Sequence, residues 1–149
     1  MPGTLFDTNV WLAALFNSHP FHALAQRALR EATPAQPAVF CRATQQNFWR
    51  LACTPALLKV YGAEGFSNRE AWVALDALQA LAQVRVHDEP PGTFALWRTL
   101  ANADTAAPKV WMDAYLAAFA IAGSLRLVTF DQDFNKFAAQ GLEFRLISG

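Results

Sequence analysis

Asp7, Asp113, Asp131 and Asp133 are the residues whose types and positions promise chemistry. Asp7 ends the apolar run Thr4-Leu5-Phe6, and Asp131 and Asp133 follow the run Leu125-Arg126-Leu127-Val128-Thr129-Phe130. Asp113 is the sole charged side chain between Lys109 and Arg126, in a stretch that is apolar nearly all the way round. A carboxylate in apolar surroundings is costly unless a partner or a cation accompanies it. Carboxylates gathered without Cys or His make a hard-oxygen site, suited to Mg²⁺ or Mn²⁺ rather than Zn²⁺. Such ions serve phosphodiester hydrolysis, where they stabilise charge and activate water. Two plainer alternatives stand beside this chemistry: Asp7 as a solvated turn residue, and Asp113 as the buried partner of Lys109 or Arg50.

These acids need elements that bring them together. The strand Thr4–Phe6 feeds a helix through Val10–Leu15, with Thr8 and Asn9 as the expected caps and as orienters of Asp7. A second helix is expected over Phe21–Glu31, and Thr33-Pro34-Ala35-Gln36-Pro37 is a connector, because neither Pro suits a helix interior. Ala38–Cys41 reads as a second strand. Thr44–Ala52 reads as a helix with Thr44 as N-cap. Ser67 and Glu70 form a capping box for the next helix. Val84–His87 alternates like a half-exposed strand, and a helix follows from Thr93 to about Leu100. Pro108 and Gly123 punctuate the helix that carries Asp113. After Phe130, Phe134 and Phe137 fit a short helix that Gly141 stops, and Phe144–Ile147 closes the series as a strand. Strands alternating with helices predict an α/β fold in three layers, α/β/α, around a mostly parallel sheet. In such a sheet ligands occupy the crevice at the carboxyl ends of the strands, the edge to which Asp7 and Asp131 are brought.

Composition narrows the classes. The 149 residues predict a single domain over 1–149. Hydrophobic residues make up 54% and charged ones 16%, with 12 Phe and 5 Trp, so apolar surface is left over for contact with another chain. A formal net charge of +0 excludes a global field that would draw in nucleic acid, so a local patch or a metal must hold one. Cys41 and Cys53 are expected to be free thiols in a reducing cytoplasm. The opening Met1-Pro2-Gly3-Thr4 has no basic or long apolar leader pattern, and no apolar run approaches the ~20 residues that span a bilayer. His19, His22 and His87 have no zinc-site spacing with the cysteines.

Taken in order, three segments resemble a known family. Leu5-Phe6-Asp7-Thr8-Asn9-Val10-Trp11-Leu12 resembles the opening of PIN domains, ribonucleases that include the VapC-type toxins of bacterial toxin–antitoxin pairs. Val110–Ala120 is similar to that family's helix bearing the third acid, and Val128–Phe134 to its segment bearing the fourth. The resemblance implies a metal-dependent endoribonuclease toxin, neutralised by a VapB-like antitoxin and acting as a homodimer. It implies Asp7, Asp113 and Asp131 as catalytic residues, with Asp133 joining them as a ligand of Mg²⁺ or Mn²⁺. Thr8, Asn9, Asn47 and Thr129 are the supporting residues. The chain departs from the family at Asn47, where members commonly carry Glu. Asn offers a carbonyl oxygen without negative charge, so metal affinity should fall and a second ion is in doubt.

Three functions follow from these observations. The first is the RNA-cleaving toxin. The second is a PIN-fold binding module without activity, supported by Asn47 alone. The third, an Asp-nucleophile phosphatase, wants a second Asp two residues after Asp7, where this chain has Asn9. Arg50 and Lys109 have two readings, as RNA phosphate contacts or as ion-pair partners of Asp113. Asp104 reads as a loop or cap residue. Trp11, Trp49, Trp72, Trp97 and Trp111 read as core or dimer interface.

Overall fold

The computed structural model describes residues 3–148. Met1, Pro2 and Gly149, which the expected domain over 1–149 includes, lie outside the described residues. Five short strands form one sheet: β1 (Thr4–Phe6), β2 (Ala38–Phe40), β3 (Val84–Val86), β4 (Arg126–Thr129) and β5 (Phe144–Leu146). Their order is β3-β2-β1-β4-β5, and each neighbouring pair is parallel. Leu5 stands beside Val39 and Leu127, and Phe6 beside Val128. The chain walks outward from β1 to β3, crosses to β4, then walks outward to β5. The direction therefore reverses between β1 and β4, which makes their shared carboxyl end the switch-point crevice of the sheet.

Right-handed crossovers put the two directions of travel on opposite faces, and the cores agree. On one face lie α1 (Thr8–Leu15), α2 (His22–Glu31), α3 (Arg42–Ala52), α4 (Pro55–Leu58) and α5 (Asn68–Gln79). Their core takes Phe6, Phe40, Val84 and Val128 from the sheet. Within it, Trp11 stacks on Phe40 with ring centroids 3.8 Å apart. On the other face lie α6 (Thr93–Leu100), α7 (Val110–Ala122) and a 3-10 helix, Gln132–Gln140. Leu5, Val39 and Leu127 pack against that layer. The alternation of Leu5 and Phe6 between two cores follows from the two-residue period of a strand. No helix among the described residues is long and apolar enough to cross a membrane.

Local starts differ from the expected ones at three places. Neither Thr8 nor Asn9 caps α1. The N-cap is Asp7, whose carboxylate accepts the Thr8 backbone N–H at 2.7 Å, while Asn9 is exposed. Helix α3 begins at Arg42, two residues before Thr44. The Thr44 hydroxyl reaches back instead, accepting the Cys41 N–H at 2.9 Å and donating to the Cys41 carbonyl at 3.0 Å. Helix α7 is buried at Ala114 and over Leu116–Ala120, but its first turn is open, with Trp111 61% exposed and Met112 37%.

Candidate functional site

Each strand end delivers one part of the site. The backbone N–H of Asp7 extends the ladder past β1 by donating to the Val128 carbonyl at 2.9 Å. That places the Asp7 side chain over the gap between β1 and β4, where it is buried. Thr129, the last residue of β4, is fully buried and donates its hydroxyl to Asp7 Oδ2 at 2.8 Å. The same Thr129 oxygen accepts the Asp131 backbone N–H at 3.0 Å. Asp131 then caps the 3-10 helix, its Oδ1 accepting the Asp133 N–H at 2.9 Å. Hydrogen bonds thus run unbroken from Asp7 through Thr129 to Asp131 and Asp133, across strands far apart in sequence. Thr129, expected from the sequence as a supporting residue, is the bridge. Thr8 Oγ1, beside Asp7, is buried with no hydrogen-bond partner among the described residues.

Asp113 comes from the other direction, on the first turn of α7, and is half-buried. Its place near the helix N-terminus favours a negative charge. Burial nevertheless pushes its carboxyl up to about 6, and the neighbouring charges of Asp7, Asp131 and Asp133 push the same way. Lys136, on the 3-10 helix, pulls it down. Burial raises the Asp7 carboxyl too, opposed by the bonds from Thr129 and Thr8 and aided by the charge of Asp131. Carboxyls raised by burial and by one another's charge mark a candidate functional site. The ion-pair alternative for Asp113 is not what forms: among the described residues the one ion pair joins Arg145 to Glu31, at 2.7 Å.

The donor set suits a hard divalent cation in kind. It consists of carboxylates with a buried, unpartnered hydroxyl at Thr8, and it holds no sulfur or imidazole. Among the described residues no three His, Cys, Asp or Glu side chains stand together as a group that could hold a metal ion by themselves. An open set is compatible with Mg²⁺, which keeps several waters and binds through one or two carboxylates together with substrate phosphate.

Asn47 lies on the second turn of α3, half-exposed, with its Oδ1 3.5 Å from Arg50 Nη2 on the same helix. No hydrogen bond among the described residues ties Asn47 to the aspartates. Arg50, Lys109 and Asp104 are exposed. Lys136 went unremarked in the sequence; its spacing of three from Asp133 was the available signal, since that brings the two onto one side of a 3-10 turn. Cys41 and Cys53 are free thiols.

A family model described as "PIN domain" matches residues 4–140. Ribonuclease VapC41 of Mycobacterium tuberculosis is 44% identical over 146 residues, covering 97% of this chain and 98% of the relative. Among solved structures, VapBC2 from Rickettsia felis, crystallised with a DNA fragment from its promoter, superposes with a TM-score of 0.63 at 12% identity. The match covers 97% of this chain and 98% of that one. VapC20 of Mycobacterium tuberculosis, described as a toxin that cleaves the sarcin-ricin loop, gives 0.59 at 19% identity, over 94% and 96% of the two chains. VapBC-1 from nontypeable Haemophilus influenzae gives 0.63 at 15%, over 96% of each.

Proposed function

The chain belongs to the PIN-domain family, and from that premise we propose that it is a metal-dependent endoribonuclease of VapC type, neutralised by a VapB-like antitoxin. One observation carries the reading: Thr129 joins Asp7 to Asp131 at the switch point of the sheet, with Asp113 facing them from α7. The 44% identity to a named ribonuclease, over nearly all of both chains, gives the substrate class.

In this reading Asp7, Asp113 and Asp131 hold Mg²⁺ or Mn²⁺, with Asp133 beside them. When bound, the ion supplies Lewis-acid stabilisation of the charge that builds on a phosphodiester during hydrolysis. The protein's part is placement. Thr129 fixes one oxygen of Asp7, and the Thr8 N–H fixes the other. Asp131 is turned by its bond from the Asp133 N–H. Lys136 offsets part of the negative charge around Asp113. Because the net charge is +0, RNA is gathered locally rather than by a long-range field, with Arg50 and Lys109 as the exposed cations to meet phosphate.

The same reading makes residues 1–149 one nuclease domain that works in the cytoplasm, in keeping with two free thiols. It also makes the protein a homodimer. Trp72, Phe94 and Trp111 leave aromatic surface exposed that a second copy would cover. Asn47 favours a second reading, the binding module without activity, since it removes a charge from the site.

Cleavage of RNA by the purified protein separates the two. We expect cleavage with Mg²⁺ or Mn²⁺, its loss in excess chelator, and a loss of at least about a hundredfold in Asp7→Asn. That size follows because removing groups that only orient a metal ligand already costs about 10–100-fold. Cleavage that persists unchanged in chelator would refute the metal reading. Its absence under every condition would leave the binding module.

A further inference from the structure

The carboxyl edge of the sheet holds more than the acids. A cleft of about 470 Å³ opens past the ends of β4 and β5, and Asp131 and Asp133 form part of its wall together with Phe21, Phe130 and Gln132. Phe21 is 40% exposed, although a polar residue would serve better at a solvated turn. The turn that carries it is braced. The Phe21 N–H donates to His19 Nδ1 at 3.0 Å, and the buried His19 ring stacks on Tyr61 with centroids 4.3 Å apart. Phe21 and Phe130 lie 5.0 Å apart, tilted by 33°. A fixed aromatic face therefore looks into a cleft that shares a wall with the site proposed for hydrolysis.

We propose that this cleft is a nucleobase subsite, in which the base of a nucleotide flanking the scissile phosphate stacks on Phe21 while Gln132 and Asp133 meet its hydrogen-bonding edge. The proposal rests on the ribonuclease reading and adds a specificity element to it. A phosphodiester at Asp131 carries its neighbouring bases with it, and a base has the π-face and polar edge that this lining complements. A carboxylate accepts from an exocyclic amino group, and an amide pairs with adenine on one edge. The subsite accordingly favours adenine or cytosine over uracil. A larger cleft, about 730 Å³ and walled by Phe94, Trp97 and Trp111, includes none of the acids, so nothing ties its occupant to the reaction.

The test is binding, kept apart from cleavage. In an Asp113→Asn background with Mg²⁺, fluorescence anisotropy of labelled single-stranded oligo(A), oligo(C) and oligo(U) gives affinities that turnover does not disturb. Phe21→Ala should weaken oligo(A) and oligo(C) binding by about tenfold, within the range for loss of one stacked base. Phe21→Trp should restore it, and oligo(U) should bind weakest to the parent. Affinity unchanged in Phe21→Ala overturns the subsite, as does a loss that Trp does not rescue. If Phe21→Ala misfolds, Gln132→Ala serves in its place, since Gln132 is exposed. It should shrink the preference for oligo(A) over oligo(U), and an undiminished preference overturns the proposal. A Phe21→Ala protein that binds RNA normally but shifts from dimer to monomer would assign the cleft to protein contact and likewise overturn it. Wild-type protein that cleaves no RNA yet binds it through Phe21 would sink the ribonuclease reading and leave the subsite standing. Cleavage with Phe21-independent binding would do the reverse.

Discussion

The strand-borne half of the site and its helix-borne half are built on different physics. Asp7, Thr129 and Asp131 sit at the ends of β1 and β4 and are strung together by hydrogen bonds of 2.8 and 3.0 Å. Their geometry is a consequence of the sheet register, Phe6 beside Val128. Asp113 and Asn47 come in on α7 and α3 without a hydrogen bond to that chain among the described residues. What Asp113 feels from the strand half is repulsion, which helps raise its carboxyl to about 6. The difference teaches that one half is preorganised by folding, while the other is held near it at an electrostatic cost that a cation would relieve.

After the loss of Asp7 itself, Thr129→Val, which breaks the preorganised half, should have the largest effect. The isosteric change leaves β4 packed but removes the donor to Asp7 and the acceptor for the Asp131 N–H. Outer groups that orient metal ligands are worth about 10–100-fold in affinity or activity, and we expect a loss of RNA cleavage in that range. Thr129→Ser should keep most of the activity, because the hydroxyl remains. Steady-state cleavage of one structured RNA by the three proteins decides it: activity in the Val variant equal to that of wild type would mean the bridge is incidental.

Why this bridge was only partly legible in the sequence follows from its range. The segments of Asp7 and Asp131 announce themselves locally, as apolar runs ending in Asp, and the apolar helix around Asp113 is bracketed by Pro108 and Gly123. Such signals lie within a window of a few residues. Thr129 and Asp7 meet across 122 residues, and no local pattern encodes that β4 rather than β2 presents its hydroxyl to β1. The helix starts failed for a related reason. Asp7 does two jobs, proposed ligand and N-cap of α1, whereas side-chain type alone points to Thr8 and Asn9 for the second. Thr44 has the side chain of a cap, and it does bind the backbone of Cys41, but from the third position inside α3. Mean apolarity of the α7 segment likewise hid the opening at Trp111 and Met112, because composition does not say where neighbouring loops stop covering a helix.

Asp113→Asn sharpens the comparison from the helix side, with a smaller effect and the opposite sign. The folded carboxyl is raised from 3.8 to about 6. The unfolded chain therefore releases its proton first, and the folded state loses stability as pH rises from about 4 to about 6, then levels off. Neutralising the residue removes that loss. Since Asp113 is half-exposed, solvent screening cuts the effect to about 1 kcal/mol. In chelator at neutral pH the Asn variant should melt higher than wild type, and near pH 4 the two should converge. A variant no more stable than wild type at neutral pH would show that neither burial nor its neighbours' charges strain the Asp113 carboxylate.

The smallest effect is expected at Asn47, where the question is whether α3 belongs to the site at all. Replacing it with Glu adds a negative charge where the family commonly has one. A unit charge ~4 Å from another is worth ~4 kcal/mol at an effective dielectric of ~20, before desolvation is subtracted. If a third of that survives, the gain is about tenfold in affinity for a divalent ion. Arg50 competes for the new carboxylate, since it already lies 3.5 Å from the Asn47 carbonyl oxygen. A pair spaced three residues apart on a helix is worth about 0.2–0.5 kcal/mol. The expected net gain is therefore about fivefold, and Arg50→Ala combined with Asn47→Glu should bring it nearer tenfold. Calorimetric titration of Mn²⁺ into wild type, the single variant and the double variant measures both steps. Equal affinities in all three would mean that the residue 47 side chain stays turned along α3, and that the helix-borne half of the site consists of Asp113 alone.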